Sequence, residues 1–200
     1  MGRSTRNKGM ALRRRRRVLA LIAVLILIAG CDRQHAAPEA TDDAPPLVNA
    51  AESGDLTRLD SLLHSAPSVD VRDVCQWTPL MKAALYGHTD IVRHLLDAGA
   101  AVDLTDKGGY TALMLAASND HADVVDLLLR KGADIDHVER TLGWTALIWA
   151  AKRGHMQTVQ TLLRHGADPS LRDLRGKTAL DWANEKQHHE IAALLQQGRQ

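Results

Sequence analysis

Apolar residues recur along most of this chain in a pattern that repeats every 33 or 34 positions. One recurring segment places them at spacings i, i+1, i+4 and i+5, as in Ile91, Val92, Leu95 and Leu96. This spacing puts the apolar side chains on one face of a helix and does not fit an alternating strand. Each copy ends at Gly-Ala, where glycine adopts the left-handed conformation that terminates a helix. The pattern predicts one such helix in every repeat.

A second recurring segment, Thr-x-Leu-x-x-Ala-Ala, predicts another helix ahead of each of these. A threonine hydroxyl accepts hydrogen bonds from the first N–H groups of a helix. The paired alanines, of which the last copy keeps one, are small enough to let neighbouring helices approach. The threonines are 33, 34 and 33 residues apart, at Thr78, Thr111, Thr145 and Thr178. A period of this length is typical of stacked-repeat proteins.

The register extends back to Pro45 and gives five units, 45–77, 78–110, 111–144, 145–177 and 178–200. The predicted fold is an all-α solenoid of about five helix-turn-helix units with short β-turn finger connections. Units of this kind stack on one another and are usually built to hold partners. We therefore expect one repeat domain over residues 45–200.

The first 30 residues have a different composition and predict an export signal. Eight basic residues and no acidic residue come before an apolar run at 18–30. This run is shorter than the ~20 residues that span a bilayer, as is typical of a signal peptide. An uncleaved helical anchor is the alternative. Residues 31–44 lack an apolar pattern and predict a disordered tether.

Charge changes the picture once this segment is set apart. The whole chain has a formal charge of +1, but removing the eight basic residues leaves 17 Lys and Arg against 24 Asp and Glu, a charge of −7. A phosphate backbone needs clustered cations to replace its counterions. The acidic composition therefore argues against nucleic acid as a partner.

The end of the apolar run, Leu27-Ile28-Ala29-Gly30-Cys31, resembles a bacterial lipobox. The resemblance implies cleavage after Gly30, a diacylglycerol on Cys31 and an anchor in the cell envelope that faces the periplasm. Asp32 resembles an inner-membrane retention signal, which favours the inner over the outer membrane. With Cys31 lipidated, Cys75 is expected to be an unpaired small side chain or to form an intermolecular bridge.

The repeated phrases resemble the ankyrin repeat. The matching residues are Asp-x-x-Gly turns (Asp106 to Gly109, Asp173 to Gly176), Thr-Pro-Leu at Thr78, the Ala pairs, Gly-His at Gly87, and Leu-Leu before Gly-Ala. The resemblance implies a monomeric protein-binding stack without enzymatic activity. In the family a His follows the Leu of this phrase, but this chain has other residues at that position. Their presence puts in doubt the hydrogen bonds that the family's His makes between units. The residues there are Met81, Met114, Ile148 and Asp181.

The position before each repeat threonine is a candidate partner-binding row. It holds Trp77, Tyr110 and Trp144 and, in the frame of the family, faces the concave groove. Large rigid rings dominate many interfaces, although packing against neighbouring units is the alternative. Other partner-binding candidates, at positions that vary in the family, are Leu85, Tyr86, Lys152, Arg153 and Arg175. Trp149 and Trp182 are expected to be packing residues.

No catalytic motif is evident, and no metal or other cofactor is predicted. His88, His121, His155 and His188 occupy one repeat position, which favours a structural role over a metal site. We therefore expect a non-enzymatic envelope lipoprotein that binds another protein. The rivals are a periplasmic carrier or accessory factor for haem, metal or a redox enzyme, and a purely structural envelope protein.

Overall fold

Helix pairs make up the described part of the chain, residues 44–197 of a computed structural model, which lie in one unit spanning Asp42–Gln200. These residues form ten helices and no strand. The first helices of the pairs are α1 (Pro46–Ser53), α3 (Pro79–Tyr86), α5 (Ala112–Ser118), α7 (Ala146–Arg153) and α9 (Ala179–Glu185). The second helices are α2 (Leu56–Leu63), α4 (Thr89–Asp97), α6 (Ala122–Arg130), α8 (Met156–Arg164) and α10 (His189–Gln197). The predicted signal peptide, lipidated Cys31 and nearly all of the tether lie outside the described residues.

The helix pairs stack in register and confirm the predicted all-α solenoid. Each first helix packs against the first helices of its neighbours, and the second helices form a row of their own. One leucine per second helix is fully buried, at Leu59, Leu95, Leu128, Leu162 and Leu195. The alanine pairs of the first helices are also fully buried, and their small side chains let successive first helices approach closely.

The repeat threonines begin the first helices as predicted. The Oγ1 of Thr78 accepts a hydrogen bond from the backbone N–H of Met81 at 3.2 Å. Thr111, Thr145 and Thr178 make the same bond at 3.3 Å. Each bond satisfies one of the N–H groups that a helix leaves without a partner at its start.

A histidine at the start of every second helix after α2 joins its unit to the preceding one. Its Nε2 donates to a backbone carbonyl of the preceding unit at 3.0 to 3.2 Å. The pairs are His88 with Glu52, His121 with Leu85, His155 with Ser118, and His188 with Lys152. Hydrogen bonds between units are therefore made by this histidine, although the family's other histidine is missing.

Glycine makes room for the histidine ring at three of these four joints. A Cβ added at Gly87 would lie 2.5 Å from the ring of His121, and Gly87 has a φ of +73°. At the joint to His155 the glycine is replaced by Asp120, with a φ of +62°. The Asp120 carboxylate accepts from Thr158 Oγ1 at 2.9 Å, so it forms its own contact with the next unit.

The joint predicts different effects for two alanine substitutions. Gly87→Ala and Gly99→Ala both force a side chain into left-handed backbone, which costs ~1–2 kcal/mol. Only Gly87 abuts a histidine, since nothing lies within 4 Å of a Cβ at Gly99. We expect Gly87→Ala to lose a further ~0.5–1.5 kcal/mol from the displaced hydrogen bond. Urea unfolding measures both, and equal losses would contradict this account of the joint.

Candidate protein-binding surface

A carboxylate organises each turn between successive units, and these turns are the fingers of the stack. In Asp73, Asp106 and Asp173, Oδ1 accepts from the backbone N–H groups two and four residues later at 2.8 to 2.9 Å. The N–H of the same aspartate donates to the carbonyl four residues later. This closed turn fixes the position of the residue before each repeat threonine.

The finger at 139–144 contains one extra residue, and a longer side chain accommodates it. Glu139 replaces the aspartate and is 1% exposed. Its Oε1 accepts from the N–H groups of Leu142 and Trp144 at 2.7 and 3.1 Å. The additional methylene of glutamate spans the additional residue, so the turn keeps its internal hydrogen bonds.

Successive fingers also bond to each other along the stack. The N–H of Arg140 donates to Gly108, and the N–H of Leu174 donates to Leu142, both at 3.0 Å. The finger tips at the two ends carry exposed apolar side chains, Val74 at 70% and Leu174 at 75%. We call the fingers and the exposed side chains of the first helices the finger-side surface.

The predicted row of aromatic residues does not form a uniformly exposed ladder. Trp77 and Tyr110 are half-buried, but Trp144 is only 3% exposed. For Trp144 the packing alternative is therefore correct, and its ring offers a partner little surface. Tyr110 Oη lies 3.3 Å from Thr141 Oγ1, and its ring packs on Trp149 at 6.0 Å.

Trp144 belongs to a cluster of three tryptophans. Its ring contacts Trp149 at 4.5 Å and Trp182 at 5.4 Å between centroids, both edge to face. Asp173 Oδ2 accepts hydrogen bonds from Nε1 of Trp144 and of Trp182, each at 2.9 Å. The carboxylate that closes the last finger thus also orients two of the rings. Trp182 is 3% exposed, as expected of a packing residue.

Hydrogen bonds oppose the effect of burial on the finger carboxylates. Burial raises the pKa of Asp106, and its backbone hydrogen bonds do not offset this. Burial also acts to raise the pKa of Asp173, but the hydrogen bonds from backbone and both indoles outweigh it and hold the pKa below its usual range. Asp173 is therefore held as an anion beneath the tryptophans.

Lys152, Arg153 and Arg175 lie against these rings. The Nζ of Lys152 is 4.2 Å from the centroid of Trp144 and 5.1 Å from that of Trp182. The guanidinium groups of Arg153 and Arg175 lie 5.2 Å from Trp149 and 5.9 Å from Trp182. Burial lowers the pKa of Lys152, as do the charges of Lys186, Arg153 and Arg175. The structure brings these predicted residues together at one end of the finger-side surface.

The other predicted residues lie toward the opposite end. The Nζ of Lys82 is 4.9 Å from the Trp77 ring and 3.0 Å from Glu52 Oε2. Tyr86 is 44% exposed and its hydroxyl donates to Glu52 Oε1 at 3.2 Å. Leu85 is half-buried against the core, and its backbone carbonyl accepts the hydrogen bond from His121 of the next unit.

The described residues bear on cysteine chemistry, metal ligands and membrane-spanning helices. Cys75 is not a free thiol, so the expectation of an unpaired side chain there is wrong. Within residues 44–197 no three His, Cys, Asp or Glu side chains are grouped as metal ligands. Over the same residues no helix has the length and hydropathy needed to cross a membrane.

Sequence reasoning missed the tryptophan cluster and the dual role of Asp173. Trp149 and Trp182 are 33 residues apart and so occupy the same position in adjacent units, which is a signal for contact along the stack. Lys152 follows Trp149 at spacing i, i+3 and therefore shares its helix face. The hydrogen bonds that Asp173 accepts from the indoles have no comparable signal, because they join side chains from three units.

The buried carboxylate predicts a pH-dependent difference between the parent and Asp173→Asn. Because the folded pKa of Asp173 is depressed, its contribution is present above the unfolded value of about 3.9 and is lost as the pH falls through the folded pKa. We expect Asp173→Asn to cost roughly 2–3 kcal/mol at pH 7. In denaturant unfolding the difference should shrink as the pH falls below 4, and a difference that stays constant through that range would contradict the assignment.

The chain was also compared with known proteins. The family model for ankyrin repeats, which describes three copies, matches residues 47–139 and 132–200. No curated protein matched the chain. Ankyrin repeats are protein–protein interaction modules and are generally non-enzymatic. The two matched ranges cover the helix pairs, the fingers and the histidine joints described above, and the chain belongs to the ankyrin repeat family.

Proposed function

We propose that this protein is a non-enzymatic lipoprotein of a bacterial cell envelope that binds another protein through its finger-side surface. The observation that carries the proposal is the exposure of large apolar side chains there. Val74, Tyr86 and Leu174 are 70%, 44% and 75% exposed, although most apolar side chains of the adjoining helices are buried. Exposed apolar side chains on a rigid scaffold favour a binding surface over a purely structural role.

The rigidity of this surface supports the same proposal. The backbone of each finger is held by a carboxylate, and neighbouring fingers are bonded to each other. A surface that is ordered before binding loses little conformational entropy when a partner docks. The side chains that differ from unit to unit, such as Val74, Lys107, Arg140 and Leu174, then distinguish one partner from another.

A carrier of haem or metal is less well supported by these residues. The repeated histidines His88, His121, His155 and His188 each donate Nε2 to a backbone carbonyl between units. Using that nitrogen as a ligand would remove the bond that joins two units. The geometry therefore favours a joint over a ligand set.

Attachment to the membrane is proposed from the sequence alone. The Leu27-Ile28-Ala29-Gly30-Cys31 segment supports lipidation of Cys31, and Asp32 supports retention in the inner membrane facing the periplasm. A tether of about 13 residues has a root-mean-square reach of about 20 Å. The stack would then bind partners close to the membrane surface, as a monomer.

Replacement of Cys31 tests the anchor. In cells fed a labelled fatty acid, the parent should incorporate the label and partition into the detergent phase, whereas Cys31→Ser should do neither. Cys75→Ser is the matched control and should be labelled like the parent. A mature parent chain that lacks the mass of the lipid, or whose Cys31 is held in a disulfide with Cys75, would contradict the anchor.

Substitution at the finger-side surface tests partner binding. We expect Tyr86→Ala combined with Val74→Ser to leave the melting temperature within about 3 °C of the parent, because Val74 is 70% exposed and the Tyr86 ring is 44% exposed. The same variant should lose a protein that cross-links to the parent in intact cells.

The control for this experiment replaces Arg58 and Arg93 with alanine. Both side chains are exposed on second helices, away from the fingers. This control should retain the cross-linked partner. If both variants retain it, or both lose it equally, the finger-side surface is not the binding site.

A further inference from the structure

Five basic side chains gather at the C-terminal end of the finger-side surface, and we call them the basic cluster. They are Lys152, Arg153, Arg175 and Lys177, whose cationic groups lie against the tryptophans, and Lys186, whose charge repels that of Lys152. The acidic groups that face them are Glu185, which pairs with Lys177, and Asp173, which lies buried beneath the rings. Among the described residues, only Lys177 of the five has a carboxylate within ion-pair distance.

The basic cluster contrasts with the rest of the domain. Residues 44–197 hold 15 Lys and Arg against 20 Asp and Glu. Without the five cations and the two carboxylates that face them, the remainder has 10 basic against 18 acidic residues. A concentrated positive region on an acidic domain raises the local concentration of an anionic ligand and orients its approach.

The tryptophan cluster holds Lys152 in place. Two of the three indoles around it donate their N–H groups to the Asp173 carboxylate. Such a bond pushes electron density onto the ring and strengthens its attraction for a cation on its face. The Lys152 ammonium has three N–H donors, and none has a hydrogen-bond acceptor among the described residues. The ammonium is thus positioned and available for an incoming acceptor.

An incoming carboxylate would relieve two unfavourable conditions of this site. Lys152 is partly removed from water, and three other cations repel it. A carboxylate placed among Lys152, Arg153 and Arg175 would attract all three and replace lost hydration with charge-assisted hydrogen bonds. Next to Arg175, the 75% exposed side chain of Leu174 offers an apolar contact beside the positive charges.

We propose that the basic cluster binds an acidic segment of the partner protein, in which carboxylates flank an apolar side chain. This inference rests on the proposed function and specifies the partner. The carboxylates engage Lys152, Arg153 and Arg175, and the apolar side chain packs on Leu174. An anionic bilayer fits less well, because its extended negative surface would repel the 18 acidic residues elsewhere on the domain.

Synthetic peptides test this with the purified mature chain in detergent micelles at 150 mM salt. The probe peptide places four glutamates around one leucine, and the matched peptide replaces the glutamates with glutamine. Three of the four tryptophans belong to the cluster, so indole fluorescence reports binding there. We expect the glutamate peptide to bind at least about tenfold more tightly than the glutamine peptide.

Charge reversal with a matched control separates the site from net charge. Arg153→Glu with Arg175→Glu should weaken binding of the glutamate peptide about tenfold or more and create affinity for a lysine peptide. Arg58→Glu with Arg93→Glu changes net charge equally and should alter binding less than about twofold. Equal losses in the two variants, or no preference for glutamate over glutamine, overturn the proposal.

Two further experiments separate binding of an acidic protein segment from binding of anionic lipid and from binding elsewhere on the finger-side surface. Vesicles containing phosphatidylglycerol should not bind better than neutral vesicles, and binding that depends on Arg153 and Arg175 there would overturn the proposal in favour of lipid. In cells, a photo-cross-linker at Leu174 should capture Asp- or Glu-rich partner peptides, and one at Val74 should not. If Tyr86 and Val74 govern partner capture but Leu174 captures no acidic peptide, only this inference fails.

Discussion

The constraint on which this structure depends is that no helix pair buries its own apolar surface. Each unit has one fully buried leucine on its second helix and buried alanines on its first, and these are covered only when neighbours stack. The joints between units therefore matter as much as the helices. A histidine donates across each joint, and at most joints a glycine leaves room for its ring.

The same requirement explains where the regular pattern is broken. Asp120 replaces a joint glycine and bonds to Thr158 of the next unit. Glu139 replaces a finger aspartate where the turn is one residue longer. Its carboxylate accepts hydrogen bonds from backbone N–H groups of the turn, as the aspartates do in the other fingers. In each case the departure preserves the contact that the stack needs, because a lost contact at a joint would expose apolar surface on both sides.

The sequence predicted the features that repeat and missed those that join particular side chains across units. Helix positions, threonine caps and the structural role of the histidines follow from local chemistry and the 33-residue period. The repeat position of Trp144 predicts a place in an exposed row. Its ring is buried instead, since Asp173 and Trp182 from the next units meet it there. The period of a single sequence carries no information on contacts between such non-equivalent positions of neighbouring units.

Asp173 links the stability of the stack to the proposed binding surface. Its Oδ1 closes the last finger, and its Oδ2 holds two tryptophans on which Lys152 lies. A change that loosens this carboxylate would disorder the finger and release the lysine together. The basic cluster is therefore built on the rigid framework of adjacent units rather than on a separate loop, and its side chains remain at the surface because the tryptophans occupy the space beneath them.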